Sequence, residues 1–116
     1  MAFRFESLQV WQIALDLDDR INLLTKSFPK EEIYVLTSQI KRAADSVVLN
    51  IAEGSTGQTK AVFKVFLSYA LRSAIEVVSC LFIAKKRGFT NDEQFNTLYN
   101  EYETLVKMIT ALKNSF

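Results

Sequence analysis

The chain has no histidine, one cysteine, one proline and three glycines in 116 residues. Without histidine it lacks the usual general base and the commonest metal ligand. A lone cysteine, Cys80, cannot form an internal disulfide, and its neighbours in "VVSCLFIA" mark it as a buried core thiol. So few glycines and prolines leave room for long helices rather than many short strands. The start, "MAFRFESLQVW", has no basic segment followed by an apolar stretch and a small-residue cleavage site, so no signal peptide is expected and a reducing cytoplasm is the default location. Charge of one sign is also missing. Fourteen basic and thirteen acidic residues give a net charge of +1, whereas nucleic-acid-binding domains are usually clearly basic.

What is present is apolar surface, 49% of the residues. That suits one folded domain spanning 1–116 with a sizeable core. Four amphipathic segments stand out. The first is expected over Ser7 to Ser27, with Leu8, Trp11, Ala14, Leu15, Leu17, Ile21 and Leu24 recurring at helical spacing. Pro29 reads as the start of the second, which runs to Glu53, with Gly54 in the left-handed position just past its end. The third runs from Lys60 to Lys86, with Thr59 as N-cap and Gly88 as terminator. Thr90 and Glu93 match a capping box that opens the fourth. That helix carries Phe95, Leu98, Tyr99, Tyr102, Leu105, Val106, Ile109 and Leu112 on one face. Short connections favour antiparallel neighbours, so the expected fold is all-α, an up-down-up-down four-helix bundle.

Three motifs look functional and have structural explanations. "GSTGQTK" (54–60) lacks the spacing of a phosphate-binding loop and follows a helix rather than a strand. Asp16 and Asp19 in "DLDD" share a helix face, but no second carboxylate pair or histidine has a spacing that completes a metal site, so a solvated acidic face is expected. "KKRG" (85–88) puts cations where a helix C-terminus favours them. The third helix is long and apolar enough to suggest a membrane span. Lys64, Arg72 and Glu76 interrupt it, each at about 2.5–3.5 kcal/mol near a bilayer centre, so a buried helix is expected instead, with no membrane partner.

The second helix carries a real constellation. Beside its core face of Leu36, Ile40, Ala43, Ala44, Val47 and Ile51 runs a second stripe of Gln39, Arg42, Ser46, Asn50 and Glu53. With Gly54, and with Ser73 and Glu76 of the third helix, these residues are expected to form a polar network between helices or subunits. The third helix has its core face of Phe63, Leu67, Ala70, Ala74, Val77 and Leu81. A second stripe of Val62, Phe66, Tyr69, Ser73 and Cys80 lies beside it, and only a narrow polar strip remains. Leu49 lies nearly opposite the core of its own helix. One apolar stripe suffices for a monomer's surface helix; the excess points to self-association, with Leu49, Phe66 and Tyr69 as interface candidates.

At these residues the chain resembles a known family. "FESLQVWQIAL", "FPKEEIYVLTSQIKRAADSVVLNIAEG" and "FLSYALRSAIEV" are similar to the small four-helix bundle proteins of the 23S ribosomal RNA intervening-sequence family. The same fold is shared with the accessory variability determinant of diversity-generating retroelements. The most specific part is Gln39, Arg42, Ala43, Ser46, Asn50, Ile51, Ala52, Glu53 and Gly54. Ser73 and Glu76 also match, but Arg72 stands where the family usually has glycine. The resemblance implies a ring-like homo-oligomer, typically a pentamer, and no known enzyme activity; no cofactor is expected. The retroelement relatives bind nucleic acid and a reverse transcriptase through a basic surface, and this chain is nearer neutral. The expected function is a non-catalytic oligomeric scaffold acting with RNA or a ribonucleoprotein, with Lys41, Arg42, Lys60 and Lys64 as contacts. The alternative is an oligomeric protein-interaction adaptor with no nucleic-acid role.

Overall fold

The computed structural model describes residues 2–57 and 59–116. Four α-helices account for most of it: α1 Gln9–Thr25, α2 Leu36–Gly54, α3 Lys60–Lys86 and α4 Asp92–Asn114. Short 3-10 turns at Arg4–Ser7 and Lys30–Glu32 precede α1 and α2. At about 1.5 Å per residue, α3 alone is about 40 Å long, and the whole molecule measures 43 × 23 × 23 Å. Each helix packs on its neighbours in sequence, most extensively α2 on α3, and α1 closes the bundle against α4.

One continuous apolar core runs down the middle. The expected core faces of α2 and α3 are all buried, joined by Val48, Cys80 and Ala84. Small residues on facing helices, Ala43 and Ala44 on α2 and Ala70 and Ala74 on α3, are buried as well. In α1 the reading shifts: Val10 is buried and Leu15 is exposed, because α1 meets only part of the core and its outer flank turns to solvent. By length and composition α3 could cross a membrane. In this fold it packs against both α2 and α4, with its core face buried.

The helix ends correct four expectations. Residues 4–7 form a 3-10 turn and Leu8 is extended (ψ 121), so α1 begins at Gln9 rather than Ser7. Pro29 does not open α2. Its ψ of 145 keeps the chain extended, the 3-10 turn follows, and α2 begins at Leu36, whose N–H is 3.4 Å from the Glu32 carboxylate. Glu32 also lies 3.8 Å from Arg87 beyond the end of α3, which ties the start of α2 to that corner.

The capping box of α4 sits one residue later than expected. Asn91 accepts from the N–H of Gln94 (2.7 Å), and the Gln94 side chain accepts from the N–H of Asn91 (3.2 Å) and from the hydroxyl of Thr90 (3.1 Å). Gly54 is the last helical residue of α2 and has no positive φ. Its glycine is required by packing: a Cβ there would lie 2.7 Å from Phe66 Cβ and 2.8 Å from Phe63 Cδ1. Gly57 takes the left-handed conformation instead (φ 87).

Two ends are as expected. Thr59 caps α3, its hydroxyl oxygen accepting from the N–H of Val62. Gly88 ends α3 with φ 77, while the N–H of Phe89 reaches back to the carbonyl of Ala84, the paired-bond termination that glycine permits.

Candidate functional site: the flanks of α2 and α3

The polar stripe of α2 assembles against α3, but only in part. The Ser73 hydroxyl donates to the Ser46 hydroxyl (2.8 Å), which also accepts from the Asn50 amide (2.9 Å); the same amide donates to the backbone carbonyl of Ser46 (2.8 Å). Lower on the seam, the Gln39 amide donates to the Glu76 carboxylate (3.3 Å). The Ser73–Ser46 and Gln39–Glu76 bonds run between antiparallel helices, so residue numbers rise on α2 as they fall on α3, while the Asn50 bonds to Ser46 lie within α2. They let polar side chains sit beside the core with their hydrogen bonds made.

Arg42 and Glu53 stand outside this chain of bonds, and both are exposed. Arg42 lines a groove of about 500 Å³ with Tyr34, Val35, Gln39, Ser46 and Glu76. Glu53 borders a smaller apolar hollow under Phe3 and Phe5. Gly54 contributes close approach rather than a hydrogen bond.

Outward of the seam, apolar side chains reach solvent. Leu49 is 57% exposed and Tyr69 45%, while the half-buried Phe66 meets Tyr69 edge to face at 5.8 Å. Val65 and Ile83 extend this flank of α3 by helical phase. The flank toward α4 is apolar too: Ile75 is 60% exposed, and Phe82, 52% exposed, packs its ring on Phe95 (4.9 Å) and Tyr99 (6.0 Å). Ile75 and Phe82 were not anticipated as surface residues. The available signal is their spacing of seven, which keeps them on one side of α3.

The four cations considered for phosphate contact do not share a surface. Lys41 lies in a pocket of about 560 Å³ lined by Asp16, Asp18, Asp19 and Asp45, where the local charge repels phosphate. Arg42 is in the groove on the opposite flank of α2. Lys60 is exposed and Lys64 half-buried, one turn apart at the start of α3. The loop before them runs through Gln58, which lies outside the described residues. In "KKRG", Lys85 sits 4.5 Å over the Phe95 ring and 3.8 Å from Asp92, and Arg87 pairs with Glu32, so two of these cations have partners within the chain.

The aspartate pocket is the feature the sequence concealed. "DLDD" supplies three of its carboxylates from α1, and the fourth, Asp45, comes from α2. Asp18 is pushed up from 3.8 to about 7, by burial first, then by its hydrogen bond to Asp45 and by the charges of Asp45 and Asp19, with Lys41 opposing. Beneath, on α4, the buried Tyr102 hydroxyl is pushed upward by desolvation and by Asp18. Burial also raises the Cys80 thiol, with Glu76 adding to it. Among the described residues no three such side chains converge in a metal-holding arrangement.

Comparison with known proteins agrees with this architecture. The family model described as "23S rRNA-intervening sequence protein" matches residues 6–111, and the chain belongs to that family. Among solved structures it is similar to a protein of unknown function from the S23 ribosomal protein family of Bacteroides thetaiotaomicron VPI-5482. The two share 26% identity at a TM-score of 0.82, over 90% of this chain and 97% of that one. No curated protein matches.

Proposed function

We propose that this member of the intervening-sequence family is a non-catalytic scaffold that assembles into a ring-like homo-oligomer through the outer faces of α2 and α3. The observation that carries the reading is the exposed apolar surface on both flanks of α3, with Leu49 beside it on α2. Scattered exposed apolar residues are ordinary, but Val65, Tyr69, Ile75, Phe82 and Ile83 all lie on the outer half of one helix, and such concentration marks an interaction surface. The pentameric count comes from the family resemblance. RNA or a ribonucleoprotein is the partner of the assembled particle in this proposal. Lys60 and Lys64 lead that contact, because Lys41 is held among aspartates. A ring repeats the pair around its axis, and weak contacts then add by avidity.

The adaptor reading is favoured by a different observation: the near-zero net charge together with the acidic pocket on the α1–α2 flank. Light scattering at micromolar concentration, followed by anisotropy titration of structured RNA at low and moderate salt, separates the two. The scaffold reading expects an oligomer that Tyr69→Glu and Leu49→Glu disperse to folded monomers. It also expects RNA affinity that falls steeply with salt and is lost in the Lys60→Glu, Lys64→Glu double variant. An oligomer indifferent to RNA at low salt transfers the function to the adaptor. A monomeric wild-type protein removes both.

A further inference from the structure

The apolar side chains that α3 shows to solvent fall on two separate lines. Toward α2 lie Phe66 and Tyr69, with Leu49 of α2 beside them. Toward α4 lie Ile75 and Phe82, the latter seated on Phe95 and Tyr99. Six residues turn a helix through about 600°, so Ile75 points about 120° away from Tyr69. The exposed Arg72 and Ser79 occupy the arc between them. The protomer therefore carries two apolar patches rather than one broad one.

The rims of the patches differ in charge. Leu49 has the exposed carboxylates of Asp45 and Glu53 one turn away on either side. Phe82 has the exposed ammonium groups of Lys85 and Lys86 one turn further on. Lys85 stands 4.5 Å over the Phe95 ring and 3.8 Å from Asp92, which holds it at the edge of the aromatic cluster. Arg72 lies between the patches and favours neither. A net charge of +1 thus conceals one acidic rim and one basic rim.

We propose that the α2-side patch of one copy docks on the α4-side patch of the next, so that copies join head to tail. The inference rests on the assembly reading above and specifies its contact. A second copy of this chain is the occupant of each patch because the rims answer one another: Asp45 and Glu53 meet Lys85 and Lys86. Pairing either patch with its own kind sets carboxylates against carboxylates or lysines against lysines around an apolar centre, and such like-charge contact suppresses the wrong pairing. A head-to-tail contact uses a different surface on each partner, so it repeats from copy to copy and closes into a ring when the rotation permits. The patch centres lie about eleven residues apart along α3, roughly 16 Å. Neighbouring bundles are therefore staggered, and a closed ring has them leaning against its axis.

Mixing two variants of the full chain in sedimentation velocity tests the pairing. Leu49→Glu with Tyr69→Glu closes the first patch; Ile75→Glu with Phe82→Glu closes the second. Circular dichroism checks that each folds. Should Phe82→Glu unsettle the aromatic cluster, Ile75→Glu alone replaces the second variant, since that side chain is 60% exposed. Each variant by itself should be a monomer. Mixed in equal amounts, at the highest concentration at which both stay monomeric alone, they should form a one-to-one dimer and nothing larger, because each supplies the patch the other has lost. A charge swap gives a second reading: Lys85→Glu with Lys86→Glu should weaken assembly, and adding Asp45→Lys with Glu53→Lys should restore it. Either variant dimerising by itself overturns the head-to-tail contact, since its remaining patch then pairs with its own kind. A mixture that stays monomeric while the wild type is oligomeric overturns it too. Both results leave the assembly reading standing, whereas a monomeric wild type removes that reading and this contact together.

Discussion

On its α3 side, α2 is closed mainly by neutral groups: Ser46, Asn50 and Ser73 share hydrogen bonds of 2.8–2.9 Å, and Gly54 lets two phenylalanines press against the helix. On its α1 side the same helix offers Asp45 to Asp18 in a pocket crowded with carboxylates. One helix thus makes two seams of opposite character. Hydroxyls and amides keep their bonding at any ordinary pH, whereas carboxylates gathered in one pocket repel one another. The difference teaches that stability in this bundle is unevenly placed. The α2–α3 seam is set by shape and by hydrogen bonds between neutral groups, while the α1–α2 flank gathers like charges.

The comparison breaks most readily at Gly54. Gly54→Ala puts a Cβ against Phe66 Cβ, which belongs near the backbone and cannot swing aside. Overpacking of this kind costs about 1–3 kcal/mol. That exceeds the roughly 0.4–1 kcal/mol an alanine returns by restricting the unfolded chain. A calorimetric melt should show Tm lowered by several degrees, equally at acidic and neutral pH. An unchanged Tm would mean the seam has room to spare.

A smaller effect sharpens the contrast. Ser73→Ala removes one donor from Ser46, which keeps its bond from Asn50. The expected loss is about 0.5–1.5 kcal/mol in denaturant melts. It should be the same at pH 4 and pH 8, because hydroxyls and amides do not titrate in that range. A Ser73→Ala loss that varied with pH would erase the distinction between the seams.

The smallest effect belongs to the rim. Arg20 and Glu101 join α1 to α4 with their side chains 39% and 45% exposed. Arg20→Ala should therefore cost only about 0.2–1 kcal/mol, and less in high salt. A larger loss, insensitive to salt, would show that Arg20 also restrains the aspartate pocket.

Much of the architecture was legible along the chain. The core faces of α2 and α3 follow from apolar spacing, the span of α3 from Thr59 and Gly88, and the Ser46–Asn50–Ser73 contact from a polar stripe beside a core face. The start of α2 was not, because Pro29 marks a change of direction without saying which turn follows, and the 3-10 turn depends on how the chain packs at that corner. Arg42 and Glu53 share the stripe's phase but lie farther round the helix than α3 reaches, so phase alone overcounted the network.

By itself the sequence determined the number of helices, their amphipathic faces and the resemblance to a family, since periodicity and caps are local properties carried by neighbouring residues. Only the tertiary structure decided that Gly54 serves close packing rather than a left-handed turn, and that Lys41 belongs among aspartates. It alone placed Asp45 in one pocket with Asp18, 27 residues away. Each of these depends on the register of one helix against another, which is set by the whole core and written in no single stretch of the chain.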